Sequence, residues 1–330
     1  MPRMSLMRVQ PDDPAYLAQA RAEAKFWITA PGLSDAAVEL RNPIIRGHYN
    51  RRFTGDPDVP WFETIASYGS FRSGAVLGAG GIPQESRILE MNPSLHLTII
   101  DISPGPLADR DRELAPRFPG RVTTRLADLN FIELSEAAYD VIISASAVHH
   151  VTNLEYLASQ VRRALKPGGL FFLADYVGES MRRFTPAKKL AFELVYNRDL
   201  MRQGRLPTSL SWIDGDAAAS PFCGIRAAEI LPTFRQHLAE QSVRTAGGLV
   251  FPMLFARDPR PIPHASWRWR ISSRPGFRRI ARMLSQRFGP PKGSLLGPHF
   301  LQDLLDTSDR LTDAGEILPT NAFAVYRTPA

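Results

Sequence analysis

The chain has 330 residues, 44% hydrophobic and 22% charged, with a formal net charge of +7. That composition belongs to an ordinary soluble globular protein with length enough for a large core. The single cysteine, Cys223, excludes an intramolecular disulfide, and no apolar run approaches the roughly 20 residues of a membrane-spanning helix.

Residues 1–70 read as an N-terminal helical cap. Their start has no long apolar core, so no signal peptide is expected; the expected location is cytoplasmic, with peripheral contact at a membrane open. Asp13-Pro14 opens a helix carrying Tyr16, Leu17, Ala20, Ala24 and Trp27, which Pro31-Gly32 ends. A second helix is expected from Ser34 to about Arg51, interrupted near Pro43, and a third from Pro60 to Tyr68. The cap carries no motif that names a chemistry, so packing on the main domain and closure over a ligand both stay open.

From residue 71 to about 250 short apolar runs alternate with amphipathic segments, the mark of βαβ units and a parallel sheet. The runs are Ala75–Leu77, Leu97–Ile100, Val122–Leu126, Val141–Ala145 and Leu170–Ala174. Before the last of them, Thr152 and Glu155 predict a capping box, and Leu154, Leu157, Val161 and Leu165 give one helix face. Pro167-Gly168-Gly169 is expected to stop that helix. Helices are also expected over Pro186–Met201 and Ala227–Leu238, a further strand at Ser242–Thr245, and a last one at Ala322–Tyr326, in the closing stretch 318–330.

Residues 251–317 read as a basic helical insertion. Between Arg257 and Lys292 lie ten basic residues against Asp258 alone, an excess larger than that of the whole chain. An amphipathic helix with a solvated polar face, peripheral attachment to an anionic membrane, and contact with an acidic substrate all fit it. Nucleic acid is the least favoured partner, because no nucleic-acid-binding module is visible.

The chemistry concentrates at strand ends. Gly78, Gly80 and Gly81 follow the first run, where a glycine turn brings backbone N–H groups and a helix start to a ligand. Asp101 closes the second run at the reach of a ribose, and Asp128 follows the third. His149 and His150 follow the fourth, where one could act as a general base, and Asp175 ends the fifth. The two histidines are adjacent and should point apart, so no metal site is expected.

Six pieces in order, Val76-Leu-Gly-Ala-Gly80, Ile100-Asp-Ile-Ser-Pro104, Ala127-Asp-Leu129, Tyr139-Asp-Val-Ile-Ile143, Ala147-Val-His-His-Val151 and Leu165-Lys-Pro-Gly-Gly169, resemble the class I S-adenosylmethionine-dependent methyltransferases. The likeness spans about residues 71–177, and weaker pieces resemble a bacterial branch of mostly unassigned members acting on small molecules or glycans. It implies a Rossmann-like, mostly parallel seven-stranded sheet with one antiparallel strand and helices on both faces. It implies S-adenosyl-L-methionine as cofactor. Gly78, Ala79 and Gly80 would approach its methionine part, Asp101 its ribose, Ile102, Asp128 and Leu129 its adenine, and Ser144 and Ala145 its sulfonium. The turn departs from the family in having Ile82 near the third-glycine position. The expected activity is methyl transfer to an oxygen of a small molecule or glycan, with His150, His149 and Asp175 as the catalytic candidates. The alternative is a relative that binds the cofactor without transferring a methyl group.

Overall fold

The computed structural model describes residues 6–29, 42–79, 84–212, 220–257 and 298–328. Gly80 and Ile82 of the glycine turn, and 258–297 of the basic segment, lie outside them.

Seven strands form one sheet: β1 (Ser73–Leu77), β2 (His96–Asp101), β3 (Val122–Leu126), β4 (Tyr139–Ala145), β5 (Leu165–Tyr176), β6 (Ala239–Ala246) and β7 (Asn321–Arg327). Their order is β3-β2-β1-β4-β5-β7-β6, and β7 runs antiparallel to both neighbours. Alternation along the strands splits the core. Val76, Ile99, Ile143 and Phe172 face one layer, and Leu77, Ile100, Ile142 and Phe171 the other.

The first layer is covered by α2 (Pro43–Thr54), a 3₁₀ helix (Trp61–Tyr68), α6 (Pro186–Arg202) and α8 (Pro298–Asp313). The second holds α5 (Leu154–Ala164) and α7 (Ile230–His237). Helices α3 (Glu85–Met91) and α4 (Pro104–Leu114) connect the first three strands. Helix α1 (Pro14–Thr29) lies over the carboxyl ends of the strands, where Tyr16 and Ala20 pack against Phe222. No helix among the described residues is long and apolar enough to cross a membrane.

Two local expectations are corrected. The capping box does not form: Asn153 is the N-cap, but its side chain bonds Val9 and Asn130 and not the helix start, and Thr152 Oγ1 makes no hydrogen bond. Glu155 is drawn instead to the buried Arg226, which holds both its oxygens at 2.6 and 2.8 Å. Asn130 supplies the acceptor, its Oδ1 taking the Thr152 and Asn153 N–H groups at 2.8 and 2.9 Å. Pro167-Gly168-Gly169 lies inside β5, not after a helix stop. Pairing of Tyr139 with Leu165 begins the strand early, and a register shift with Gly168 at φ +76° absorbs the irregularity.

Candidate active site

Strand β1 lies between β2 and β4, so chain order reverses beside it. At such a point the loops after neighbouring strands diverge and leave a crevice at the carboxyl edge. Here it is a cleft lined from the ends of β1, β2, β3 and β4 by Gly78, Asp101, Asp128 and Ser146.

Gly78 turns the chain out of β1 at φ +94°, and a Cβ on it would meet the Ala147 Cβ at 2.3 Å. Only glycine fits both constraints. The next N–H, of Ala79, donates to Asp101 Oδ2 at 2.7 Å, while Asp101 Oδ1 accepts from Ser103 N at 2.7 Å. The glycine bend and this carboxylate therefore share one rim. Ile102 and Leu129 supply apolar walls, and Asp128 and Asn130 line the same cleft.

Asp128 is held from the cap. Tyr16 of α1 donates its hydroxyl to Asp128 Oδ2 at 2.5 Å, and Asn130 Nδ2 reaches Tyr16 Oη at 2.8 Å. Burial and the neighbouring carboxylate push the Tyr16 hydroxyl well above its ordinary range, so it stays a donor.

After β4, Ser146 adopts a left-handed conformation at φ +53° and lines the cleft with Ala147. Ser144 lies one turn of the pleat deeper, fully buried, its hydroxyl donating to Leu77 O at 3.0 Å. Neither Ser144 nor Ala145 is among the cleft-lining residues; Gly78, Asp101, Ile102, Asp128, Leu129 and His150 are.

The adjacent histidines do not diverge. A 3₁₀ turn, Val148–His150, brings their ring centroids to 4.1 Å. Each ring has its own carboxylate. His149 Nδ1 meets the buried Asp175 at 2.5 Å, and His150 Nδ1 meets Glu23 of α1 at 2.9 Å. Asp175 also accepts from the Ala147 and Val148 N–H groups at 3.1 and 2.7 Å, which fixes the turn. Glu23 further accepts from Trp27 Nε1 at 2.6 Å and Phe222 N at 3.2 Å.

Burial alone would raise the Glu23 carboxyl; its bonds from His150 and Trp27 outweigh that and hold it below the usual range. Burial and the His149 ring would lower the His150 imidazole, but its contacts with Cys223 and Glu23 win and raise it. Glu23, Trp27 and Phe222 also line the cleft, and no motif in the sequence marks them.

The residues fit S-adenosylmethionine. Three carboxylates, Glu23, Asp101 and Asp128, face the cleft, and no lysine or arginine is among its described lining residues. Such walls favour a cationic ligand and repel a pyrophosphate. Trp27 adds an aromatic face suited to an onium group.

Residues 77–171 match a family model described as a methyltransferase domain. Phosphoethanolamine N-methyltransferase 2 of Caenorhabditis elegans is 25% identical over 185 residues, 54% of this chain and 39% of that protein. The 2-methyl-6-phytyl-1,4-hydroquinone methyltransferase of Synechocystis sp. is 30% identical over 146 residues, 39% of this chain and 43% of that one. The chain thus spans less than half the length of either curated relative. Among solved structures, geranyl diphosphate C-methyltransferase from Streptomyces coelicolor A3(2) superposes over 97% of this chain and 100% of its own, at 13% identity and a TM-score of 0.46. The chain has the seven-stranded fold of the class I, S-adenosylmethionine-dependent methyltransferases, and residues 77–171 within it are similar to a methyltransferase domain.

Proposed function

We infer that this protein transfers a methyl group from S-adenosylmethionine to an oxygen of a small molecule or sugar. The observation that carries the reading is the acid-walled cleft, with Asp101 bonded to the Ala79 N–H at its rim. S-adenosylmethionine supplies a methyl group already activated on a sulfonium. The chain has to bind it, exclude water and hold the acceptor. In this reading Asp101 accepts from the ribose hydroxyls, and Asp128 accepts from the adenine amino group between Ile102 and Leu129. The carboxylates that orient Tyr16, His149 and His150 fix the geometry before any ligand arrives.

A hydroxyl acceptor is a poor nucleophile until its proton is held or removed. In this reading His150, which lines the cleft and is braced by Glu23, takes that role, with His149 and Asp175 behind it. That pairing favours oxygen over an amine, which needs no such help once neutral. The test is transfer of label from methyl-labelled S-adenosylmethionine to a panel of hydroxylated acceptors and amines. Label on an oxygen supports the reading, label on nitrogen or carbon alone overturns the oxygen assignment, and cofactor binding with no transfer to any acceptor favours the non-catalytic alternative.

A further inference from the structure

The corner where α1, the turn after β4 and the segment before α7 meet holds more ligating chemistry than methyl transfer requires. His149, His150 and Cys223 each present one ligand atom, and these lie within 4.8 Å of one another. The three come from distant parts of the chain only through Cys223, since the turn itself supplies both rings.

The nitrogens are sorted for coordination. Both Nδ1 atoms are engaged by carboxylates, Asp175 on His149 and Glu23 on His150. A carboxylate on one ring nitrogen fixes the tautomer that leaves the other with its lone pair outward, the arrangement behind metal-bound histidines. Cys223 Sγ accepts from the buried Arg182 at 2.7 Å and is hydrogen-bonded to His150. Two imidazoles and a thiolate are a borderline-soft donor set, which selects Zn²⁺ over Mg²⁺ or Ca²⁺.

A tetrahedral zinc holds nitrogen and sulfur ligands about 3.4–3.6 Å apart, so closing the cluster takes at most about 1.4 Å of side-chain movement.

We propose that His149, His150 and Cys223 form a three-ligand zinc site beside the cofactor cleft, with its fourth position open to the acceptor. His150 lines the cleft, so an ion there borders the same space. An acceptor hydroxyl in the open position would lose its proton more readily, as water does on zinc. This role rests on the methyl-transfer reading; the site itself does not.

The test uses the full chain, loaded with Zn²⁺ or Co²⁺ and freed of excess metal. One zinc per chain is expected, and the cobalt form should show a thiolate-to-cobalt charge-transfer band that Cys223→Ser removes. Glu23→Gln should weaken zinc binding about 10-fold or more, as loss of a carboxylate behind a metal-bound imidazole does. S-adenosylhomocysteine binding, measured on the same samples, reports folding and the cofactor reading separately. Zinc well below one per chain in wild type overturns the site, as does a cobalt spectrum that Cys223→Ser leaves unchanged in a folded variant. Should Cys223→Ser not fold, the Glu23→Gln affinity decides: no loss there counts against the site. Zinc held without S-adenosylhomocysteine binding would sink the cofactor reading and leave the site standing.

Discussion

Asp101 joins two functions in one side chain. It ties the glycine bend to the end of β2 and lines the cleft. Asp101→Ala should weaken S-adenosylhomocysteine binding by about 1–3 kcal/mol, the scale of hydrogen bonds to a charged group. Calorimetry measures this, and an unchanged dissociation constant would count against the ribose assignment. Gly78→Ala faces both a positive φ and the Ala147 methyl, so it should lower stability by about 1–3 kcal/mol in urea unfolding and abolish cofactor binding. A variant that retains both would show that the loop can relax away from Ala147. Much of this rim is legible in sequence, because strand, glycine and acid follow one another locally. The acidic partner of His150 is not: Glu23 is separated from Phe222, another of its partners, by 199 residues, and no local pattern encodes such a meeting.

Helix α1 is part of the site and not only a cover. It delivers Tyr16 to Asp128 and Glu23 to His150 from one face. Tyr16→Phe removes the hydroxyl shared by Asp128 and Asn130, and should weaken S-adenosylhomocysteine binding by about 1–3 kcal/mol while α1 stays folded. Equal affinity for wild type and variant would mean that the cap packs without shaping the cleft. The strands were readable from short apolar runs, and β1, β2 and β4 kept close to the expected ends, their alternate side chains buried in the two layers. Element ends failed where a distant partner outbid a local signal. Arg226 took Glu155 from its capping box, and the pairing of Tyr139 with Leu165 drew Leu165-Lys-Pro-Gly-Gly169 into β5. That early start of β5 also carries an ion pair. Burial opposes ionisation of Asp140, but Lys166 and the N–H groups of Ser73 and Arg72 outweigh it and lower its pKa from 3.8 to about 2. Its contribution to stability is therefore full above 3.8 and lost as the pH falls through about 2. Asp140→Asn should be less stable than wild type near neutrality, with the gap closing towards pH 2 in urea titrations. A gap independent of pH would place the effect elsewhere.

At the scale of the molecule, a sheet reversal makes a crevice and a cap helix closes its rim with acid and aromatic groups. Chain order alone predicts the crevice, since βαβ units of one hand leave it at the switch point. Its charge comes from three distant segments meeting, and only the fold reveals that it is anionic. The central claim is that this cleft takes a cationic adenosyl ligand. Titration calorimetry of the full chain with S-adenosylmethionine, S-adenosylhomocysteine and NADH tests it most directly. One molecule of either adenosyl compound per chain, bound more tightly than NADH, is the predicted result; NADH binding more tightly, or no adenosyl binding at all, would contradict it.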